Sequence, residues 1–284
     1  MSVRQKLPPK PLTRGMRLGL IISAALVFTI GISLNLLSSQ TERFFAWTIG
    51  SALTAAFLGG SYWAAGVLEL MAGRQRRWAD ARVAVPAVIV FTGLTLLATL
   101  LHRANFHFDA PLLITRVGTW VWLAIYIIVP FSHTALLAAQ LKAAGGEPER
   151  ARLLPAWLRR LQVVAGLPIL LTGMALFVAP LAAGAYWPWA LTALTGRAVG
   201  AWLVGLGVLL LHGAGENAPG RLRPLFASLI AFGLLQATAL LRFGGEMEWL
   251  RPAAWLVVAF IGLCLVIGLA GWRLAGLEPA GPST

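Results

Sequence analysis

Arg197 is the residue of this chain whose position most strongly suggests chemistry. It lies about ten residues into the apolar run that begins at Trp187, which corresponds to roughly 15 Å along a helix. A guanidinium that far inside an apolar medium costs at least a few kcal/mol unless it is paired or hydrated. Arg197 is therefore either a buried group that contacts a substrate, an ion or a carboxylate, or a cap on a helix that starts after an interfacial loop.

Four further arginines form two pairs that recur along the chain, Arg103 with Arg242 and Arg116 with Arg251. Guanidinium groups suit the oxygens of carboxylates and phosphates. The four side chains predict either an anion-binding vestibule or anchors that reach lipid headgroups and nearby carboxylates.

A third candidate is the segment His102-x4-His107-x-Asp109. These three side chains could supply nitrogen and oxygen ligands to zinc or another divalent metal. A spacing of five residues does not align two histidines on one helical face, so a metal site requires the helix to end near Arg103. The alternative is a hydrogen-bonded cap without metal.

Three more polar residues, Glu69, His133 and His212, lie toward the opposite ends of their apolar runs. Facing histidines could bind haem, and glutamate with histidine could relay protons or hold a metal. Local hydrogen bonding is the simpler interpretation, because the recurring pattern supplies no symmetric histidine pair.

Established catalytic motifs do not occur in the sequence. It lacks a P-loop, a Gly-x-Ser-x-Gly elbow, a His-Glu-x-x-His motif and a Cys-x-x-Cys-His motif. Its single cysteine, Cys264, excludes an internal disulfide and predicts a small buried apolar residue. We predict that the chain is not an enzyme, and no cofactor can be named.

The elements that position these residues are apolar helices. Hydrophobic residues make up 58% and charged residues 12% of the 284-residue chain, and mean hydropathy is +0.78, which indicates a lipid bilayer as the main solvent. A helical span needs about 20 mostly apolar residues. Eight stretches predict an all-α transmembrane bundle: Leu18–Leu37, retained rather than cleaved as a signal, Phe45–Leu70, Val83–Leu101, Val117–Leu141, Leu161–Ala183, Trp189–Leu211, Leu225–Leu241 and Pro252–Trp272.

The net charge of +13 reflects topology rather than nucleic-acid binding, because the basic residues fall between the apolar runs. Seventeen of the 23 basic residues fall on one side of the predicted bundle. The positive-inside rule therefore places both termini in the cytoplasm of a cell membrane protein. An aromatic belt is predicted near the outer ends of the spans from tryptophans 47, 120, 122, 187, 189, 249 and 255.

An internal repeat divides the chain into two four-helix halves, residues 1–148 with a cytoplasmic N-terminal tail and residues 149–284. A shift of 139 residues places Trp63 on Trp202, Arg82 on Arg221, Thr99 on Thr238 and Arg103 on Arg242. A shift of 135 then places Arg116 on Arg251 and Trp120 on Trp255. Since each half has an even number of spans, the halves are parallel and related by an axis along the membrane normal.

Three segments resemble stretches in a group of uncharacterised bacterial multi-pass membrane proteins: FLGGSYW at 57–63, HRANFHF at 102–108 and WPWALTALTGR at 187–197. The resemblance runs through most of the chain and implies a bacterial membrane context. It implies no activity.

Three functions follow as hypotheses. The first is binding or passage of a small solute or ion at the interface of the two repeats, as in transporters built from parallel repeats. The second is a non-catalytic scaffold or assembly subunit that presents helix faces to a membrane partner or a second copy. The third is a redox protein that binds haem, a metal or a quinone. A polar cavity between the halves would favour the first, and a dry interface the second.

Overall fold

The protein is an all-α bundle. A computed structural model describes residues 7–277, which form helices and no β-strand. Arg4 and Lys6, two of the 17 basic residues on the predicted cytoplasmic side, lie outside this range. Eight helices are long and apolar enough to cross a membrane, which confirms the predicted span number. The helices are α1 (Arg14–Leu36), α2 (Thr41–Phe44), α3 (Ala52–Gly73), α4 (Trp78–Ala81), α5 (Ala84–Leu101), α6 (Leu113–Lys142), α7 (Ala156–Val178), α8 (Pro180–Gly184), α9 (Ala193–Glu216), α10 (Arg223–Phe243) and α11 (Pro252–Gly276).

Two spans begin later than their apolar runs predict, because a capping residue decides where each helix starts. The Ser51 side chain accepts a hydrogen bond from the backbone N–H of Thr54, so α3 begins at Ala52 and not at Phe45. Thr192 and Thr195 form a reciprocal capping box, so α9 begins at Ala193 and not at Trp189. The apolar residues before each cap belong to loops.

The long helices follow one another in a closed ring, with neighbours in the order α1, α3, α10, α11, α7, α9, α5, α6 and back to α1. Helices α3 and α9 are the most enclosed, with 72% of the central window of each buried. They meet across the middle of the ring, where the rings of Tyr62 and Trp202 lie 4.8 Å apart in an edge-on contact.

Each helix pair has a counterpart. Contacts between α1 and α3 correspond to those between α7 and α9, and α5 with α6 to α10 with α11. Contacts between α3 and α10 correspond to those between α9 and α5. This pairing is what a duplicated four-helix unit would produce, and it supports the repeat, which stays a prediction.

The tryptophans at the end of the bundle that the positive-inside rule predicts to be outer contradict part of the predicted belt. We call this end of the bundle the outer end and the opposite end the inner end. Trp120, Trp249 and Trp255 are exposed, as anchors in a headgroup layer should be. The side chains at 47, 122, 187 and 189 are buried instead. The indoles of Trp47 and Trp122 pack edge to face at 5.0 Å, because the outer loops fold inward and form a protein core of their own.

The two halves are joined at this outer end. The Glu246 carboxylate, which follows α10, accepts a hydrogen bond from Ser51 Oγ at 2.5 Å and one from the backbone N–H of Leu53 at 3.3 Å. A carboxylate is favourable there, because the N-terminus of a helix carries partial positive charge. Trp189 Nε1 donates to Thr54 Oγ1 at 2.8 Å, so both contacts attach the second half to the start of α3.

Candidate functional site

A cavity of about 50 Å³ lies in the interior among α3, α5, α9 and α10. Two of these helices come from each predicted half, so the cavity lies at the predicted interface. Its walls are mostly apolar and include Phe57, Leu68, Val88, Phe91, Trp202 and Phe232. The volume is large enough for a few water molecules.

Glu69 is the charged residue in the wall of this cavity. It lies on α3 one turn before the inner end of the helix, and only 3% of the residue is exposed. Ser23 of α1 hydrogen-bonds the carboxyl group, whereas its Oε2 atom has no hydrogen-bond partner within the described part of the chain. A buried polar atom without a partner is uncommon in folded proteins and marks a place where a ligand or water would fit.

The other polar side chains in the cavity wall, Ser61 and Ser228, donate hydrogen bonds to backbone carbonyls. Ser61 Oγ donates to the Phe57 carbonyl at 2.8 Å, and Ser228 Oγ donates to the Ala64 carbonyl at 2.8 Å. Gln236 lies behind Ser61, and its Nε2 donates to the same Phe57 carbonyl at 3.0 Å and to Ser61 Oγ at 3.2 Å. A species that entered the cavity would therefore meet acceptor oxygens, with the Glu69 carboxylate the strongest of them.

Aromatic rings form the wall that faces α9. The rings of Phe91 and Trp202 are 3.8 Å apart between centroids, and Tyr62 packs against both. The hydroxyl groups of Tyr62 and Tyr126 hydrogen-bond each other in the interior. Phe91 and Trp202 line the cavity, and Tyr62 supports them from behind.

A cluster of four charged side chains lies at the inner ends of α5, α9 and α10, three of the four helices around the cavity. Arg82 donates two hydrogen bonds to the carboxylate of Glu216, at 2.5 and 2.7 Å, and two to that of Glu147, both at 2.8 Å. Arg221 Nη1 lies 2.5 Å from Glu147 and 3.6 Å from Glu216. We call these four residues the inner charge cluster.

The inner charge cluster connects the two halves through the loop between them. Arg82 and Arg221, which the repeat aligns, each lie two residues before the first residue of α5 and α10, and Glu147 lies in the loop from α6 to α7. Partial burial of the Glu147 carboxylate opposes ionisation, but hydrogen bonds from Arg82 and Arg221 and their charges outweigh it and lower the pKa of Glu147. Both arginines therefore stabilise one ionised carboxylate at the junction.

Arg197 does not lie at the predicted depth. The residues from Trp187 to Thr192 form a loop, so Arg197 is the fifth residue of α9, half-buried near its outer end. Its Nη1 atom is 2.7 Å from Nε2 of His102, which follows α5. Burial and the positive charge of Arg197 lower the pKa of His102. This geometry agrees with the capping interpretation, and Arg197 does not line the cavity.

The predicted outer metal ligands are occupied by separate hydrogen bonds. His102 contacts Arg197, whereas His107 contacts the Phe45 carbonyl through Nδ1 and the Thr48 hydroxyl through Nε2, both at 3.0 Å. Asp109 does not join them: across residues 7–277, no three histidine, cysteine, aspartate or glutamate side chains form a group that could hold a metal ion.

Three of the four recurring arginines contact nearby protein atoms through their guanidinium groups. Arg242 Nη1 donates to the Asn35 carbonyl at 2.6 Å, and Arg251 pairs with Glu248 at 2.5 Å. Arg103 lies 5.8 Å from the Phe108 ring centroid, and Arg116 is exposed. These contacts favour the anchoring interpretation over an anion vestibule.

The two inner histidines occupy different surroundings. His212 Nε2 is 3.4 Å from Glu216 and so extends the inner charge cluster. His133 is buried on α6, where its Nδ1 atom lies 3.1 Å from the Val129 carbonyl. Since α6 packs mainly on α1 and α5, and α9 on α7 and α5, the two imidazoles are not on adjacent helices of the ring as a haem pair requires.

Sequence patterns contained signals for part of this site. Arg82 and Arg221 align in the repeat, where their charges predict topology. A recurring arginine pair at a helix start also indicates a shared partner, which the structure identifies as Glu147. Ser23, Ser61 and Ser228 carried no signal, since serine is ordinary in a membrane helix. Searches of protein-family models, curated proteins and solved structures find no match to this chain.

Proposed function

We propose that this protein binds a small ion or solute in the central cavity and passes it across the membrane between its two halves. The observation that carries the proposal is the Glu69 carboxyl group, which is buried in the cavity wall with one oxygen unpartnered. Ionisable groups within membrane spans are costly and are retained mostly where they bind ions or substrates.

The size of the cavity limits what it could hold. About 50 Å³ accommodates an inorganic ion or a few waters, whereas drug-sized ligands occupy pockets of roughly 300 Å³ or more. The species passed is therefore small, and an anion is disfavoured because Glu69 and the surrounding oxygens would repel it.

The inner charge cluster lies between this cavity and the cytoplasmic side that we propose for it. It joins the start of α5, the start of α10 and the end of α9, which are three of the four helices around the cavity. Passage toward the inner side therefore requires separation of these ion pairs or a path around them. Alternating access by movement of one half against the other would provide that separation.

The scaffold hypothesis finds less support in the packing. Many of the glycines that membrane helices use for association are engaged within the bundle, as at Gly173 and Gly200, where each glycine faces the carbonyl of the other, whereas Gly93, Gly118 and Gly262 have open space beside them. The bacterial cell membrane, the cytoplasmic termini and the parallel repeat remain parts of this proposal.

Flux measurements in proteoliposomes test the proposal. The purified chain is reconstituted, and entry of H⁺, Na⁺, K⁺ and Cl⁻ is followed under an imposed membrane potential. Ala87 lines the cavity and is buried, so Ala87→Leu fills the cavity and is expected to lower cation flux at least about tenfold. The matched control is Ala25→Leu on the exposed face of α1, which should retain wild-type flux. Absence of flux for every ion, or equal flux in both variants, would contradict the proposal.

A further inference from the structure

We propose that the species bound in the central cavity is a proton and that Glu69 is the group that holds it. The inference rests on the proposed function, since it names the ion for the same cavity. The step is Glu69 carboxylate plus H⁺ giving the carboxylic acid, followed by release of the same proton on the other side. It needs no co-reactant.

No cationic side chain among the described residues pairs with Glu69 and stabilises its ionised form. The ion pairs found within residues 7–277 do not include Glu69, and its hydrogen bond comes from the neutral Ser23 hydroxyl. A carboxylate in an apolar interior without a cation is strongly disfavoured, so the site is stable with a proton or a bound cation.

The oxygen atoms around the cavity are too few for a metal cation. A cation such as Ca²⁺ takes about six to eight oxygen ligands and Mg²⁺ about six, and an alkali ion stripped of water has a similar need for oxygen. The walls of this cavity are mostly apolar, and among the described residues that line it only Ser61, Glu69 and Ser228 carry side-chain oxygens. The Ser61 oxygen already accepts a hydrogen bond from Gln236 Nε2 at 3.2 Å. A proton needs only the carboxyl oxygen itself.

Charged groups on the helices packed against α3 lie in the first or last two turns of their helices and thus toward the membrane surfaces. They are Arg14 and Arg17 of α1, Asp80 of α4, Arg197, His212 and Glu216 of α9, and Arg223 and Arg242 of α10. Deeper titratable groups are Tyr62, Tyr126 and His133, and the two tyrosines hydrogen-bond each other.

His133 identifies the direction in which a proton path would continue. A Cβ atom on Gly19 would lie 3.8 Å from His133 Nε2, and Gly19 is one turn from Ser23 on α1. The imidazole and the Glu69 carboxyl therefore meet neighbouring positions of the same helix. His133 Nε2 has no hydrogen-bond partner among the described residues, so this ring nitrogen is free to exchange a proton.

Labelling with a hydrophobic carbodiimide tests the inference without any flux measurement, because this reagent attacks a protonated carboxyl group in apolar surroundings. The intact protein in micelles is treated with dicyclohexylcarbodiimide between pH 6 and pH 9, and adducts are mapped by mass spectrometry. We expect one main adduct, at Glu69, which forms more slowly as pH rises. Ser23→Ala should shift the pH midpoint of labelling while labelling itself persists. An unlabelled Glu69, or protection of Glu69 by millimolar Na⁺, would overturn the inference.

Proton flux in proteoliposomes provides the second arm, with a pH-sensitive dye inside. The Glu69→Gln variant should lower the rate of proton flux at least about tenfold, and Glu69→Asp should retain an intermediate rate. The control Glu42→Gln, at an exposed position, should have the wild-type rate. Each variant is first checked by gel filtration and thermal unfolding, and labelling of the wild type decides the matter if Glu69→Gln does not fold. Wild-type proton flux in a folded Glu69→Gln protein would overturn the inference.

The two arms separate the inference from the proposed function. Labelled Glu69 with no flux of any ion would contradict passage but leave proton binding in place. Flux of another ion together with an unlabelled Glu69 would support ion passage but would overturn the inference that Glu69 binds a proton.

Discussion

Glu69 and Arg197 each lie about one turn from a helix end, but only the Glu69 side chain is buried in the interior of the bundle. Both occur in apolar runs of the sequence. Arg197 is near the outer end of α9, where His102 and solvent are within reach of its long side chain. Glu69 is also one turn from a helix end, but it faces inward, and a glutamate is too short to reach the surface. The buried carboxylate is therefore the stronger functional candidate.

The contact between Arg197 and His102 predicts a pH dependence of stability. The folded-state pKa of His102 is lowered by burial and by the Arg197 charge, so the unfolded chain binds the proton more readily and stability falls as pH drops below about 6.5. We expect the thermal midpoint in micelles to decrease between about pH 7.5 and about pH 5, with His102→Gln removing roughly 2 °C of that decrease.

A matched control for this measurement is His107→Gln, which alters the neighbouring loop histidine and leaves the Arg197–His102 contact in place. The part of the decrease that the Arg197–His102 contact causes should persist in this variant. An identical decrease in the wild type and in His102→Gln would show that other groups cause the effect.

Glu147 predicts an effect in the acidic range. Its folded-state pKa is lowered, since the charges and hydrogen bonds of Arg82 and Arg221 outweigh burial, so its contribution to stability is complete above its ordinary pKa and is lost as pH falls through the lowered value. Glu147→Gln should lower stability at neutral pH by up to about 1 kcal/mol, because much of the side chain is exposed to solvent. The difference from wild type should shrink as pH falls below the ordinary pKa of about 4.3 and should vanish only below the lowered folded-state value.

Glu248→Gln is the control for that prediction, because Glu248 pairs with Arg251 at 2.5 Å and is 48% exposed, compared with 54% for Glu147. A pair between close neighbours on one loop connects no helices, and its loss should change the midpoint little. An equal loss of stability in Glu147→Gln and Glu248→Gln would mean that the inner charge cluster does not hold the two halves together.

Helices α7 and α9 approach closely at Gly200, as α1 and α3 do at Gly59. A Cβ atom on Gly200 would lie 2.7 Å from the Gly173 carbonyl oxygen and 2.8 Å from the Phe177 backbone nitrogen. Backbone atoms cannot move aside as a flexible side chain can, so glycine allows the two helix axes to approach.

Gly200→Ala should therefore destabilise the bundle by about 1 to 3 kcal/mol, as over-packing does. The control is Gly262→Ala on the exposed face of α11, where a Cβ atom would meet nothing within 4 Å. That substitution should be neutral or stabilising by up to about 1 kcal/mol, because alanine has the higher helix propensity. Thermal unfolding in micelles distinguishes the two, and equal midpoints would contradict the close approach of α7 and α9.

Helix number was predictable from the apolar runs, whereas helix starts were not. Hydropathy averages over about 20 residues, and it does not separate a span from an apolar loop that is buried in protein. Phe45 and Trp187 are apolar and buried, yet both precede the caps that begin α3 and α9. The shift of Arg197 from the interior to the helix end follows from this difference alone.

The whole molecule is a ring in which the corresponding pairs α3 with α10 and α9 with α5 connect the halves. These four helices enclose the cavity. The proposed site therefore lies where both halves contribute, as the repeat leads one to expect of a shared interface.

Membrane orientation is testable because the chain has one cysteine, Cys264, which is buried. In a Cys264→Ala background, Asp109→Cys should react with an impermeant maleimide added to intact cells. Arg152→Cys, in the loop between the halves, should react only after permeabilisation. The reverse pattern would place both termini outside and would contradict the positive-inside prediction.

The sequence alone determined the solvent, the helix class, the span number and the candidate repeat, because these depend on composition and period, which are properties of neighbouring residues. Only the tertiary structure decided that Arg82 and Arg221 share Glu147, that Arg197 contacts His102, and that Glu69 rather than Arg197 faces the cavity. Those relations join residues from distant parts of the chain. They depend on which side of each helix faces the centre of the ring, and in helices that are apolar on nearly every side the sequence pattern does not specify that side.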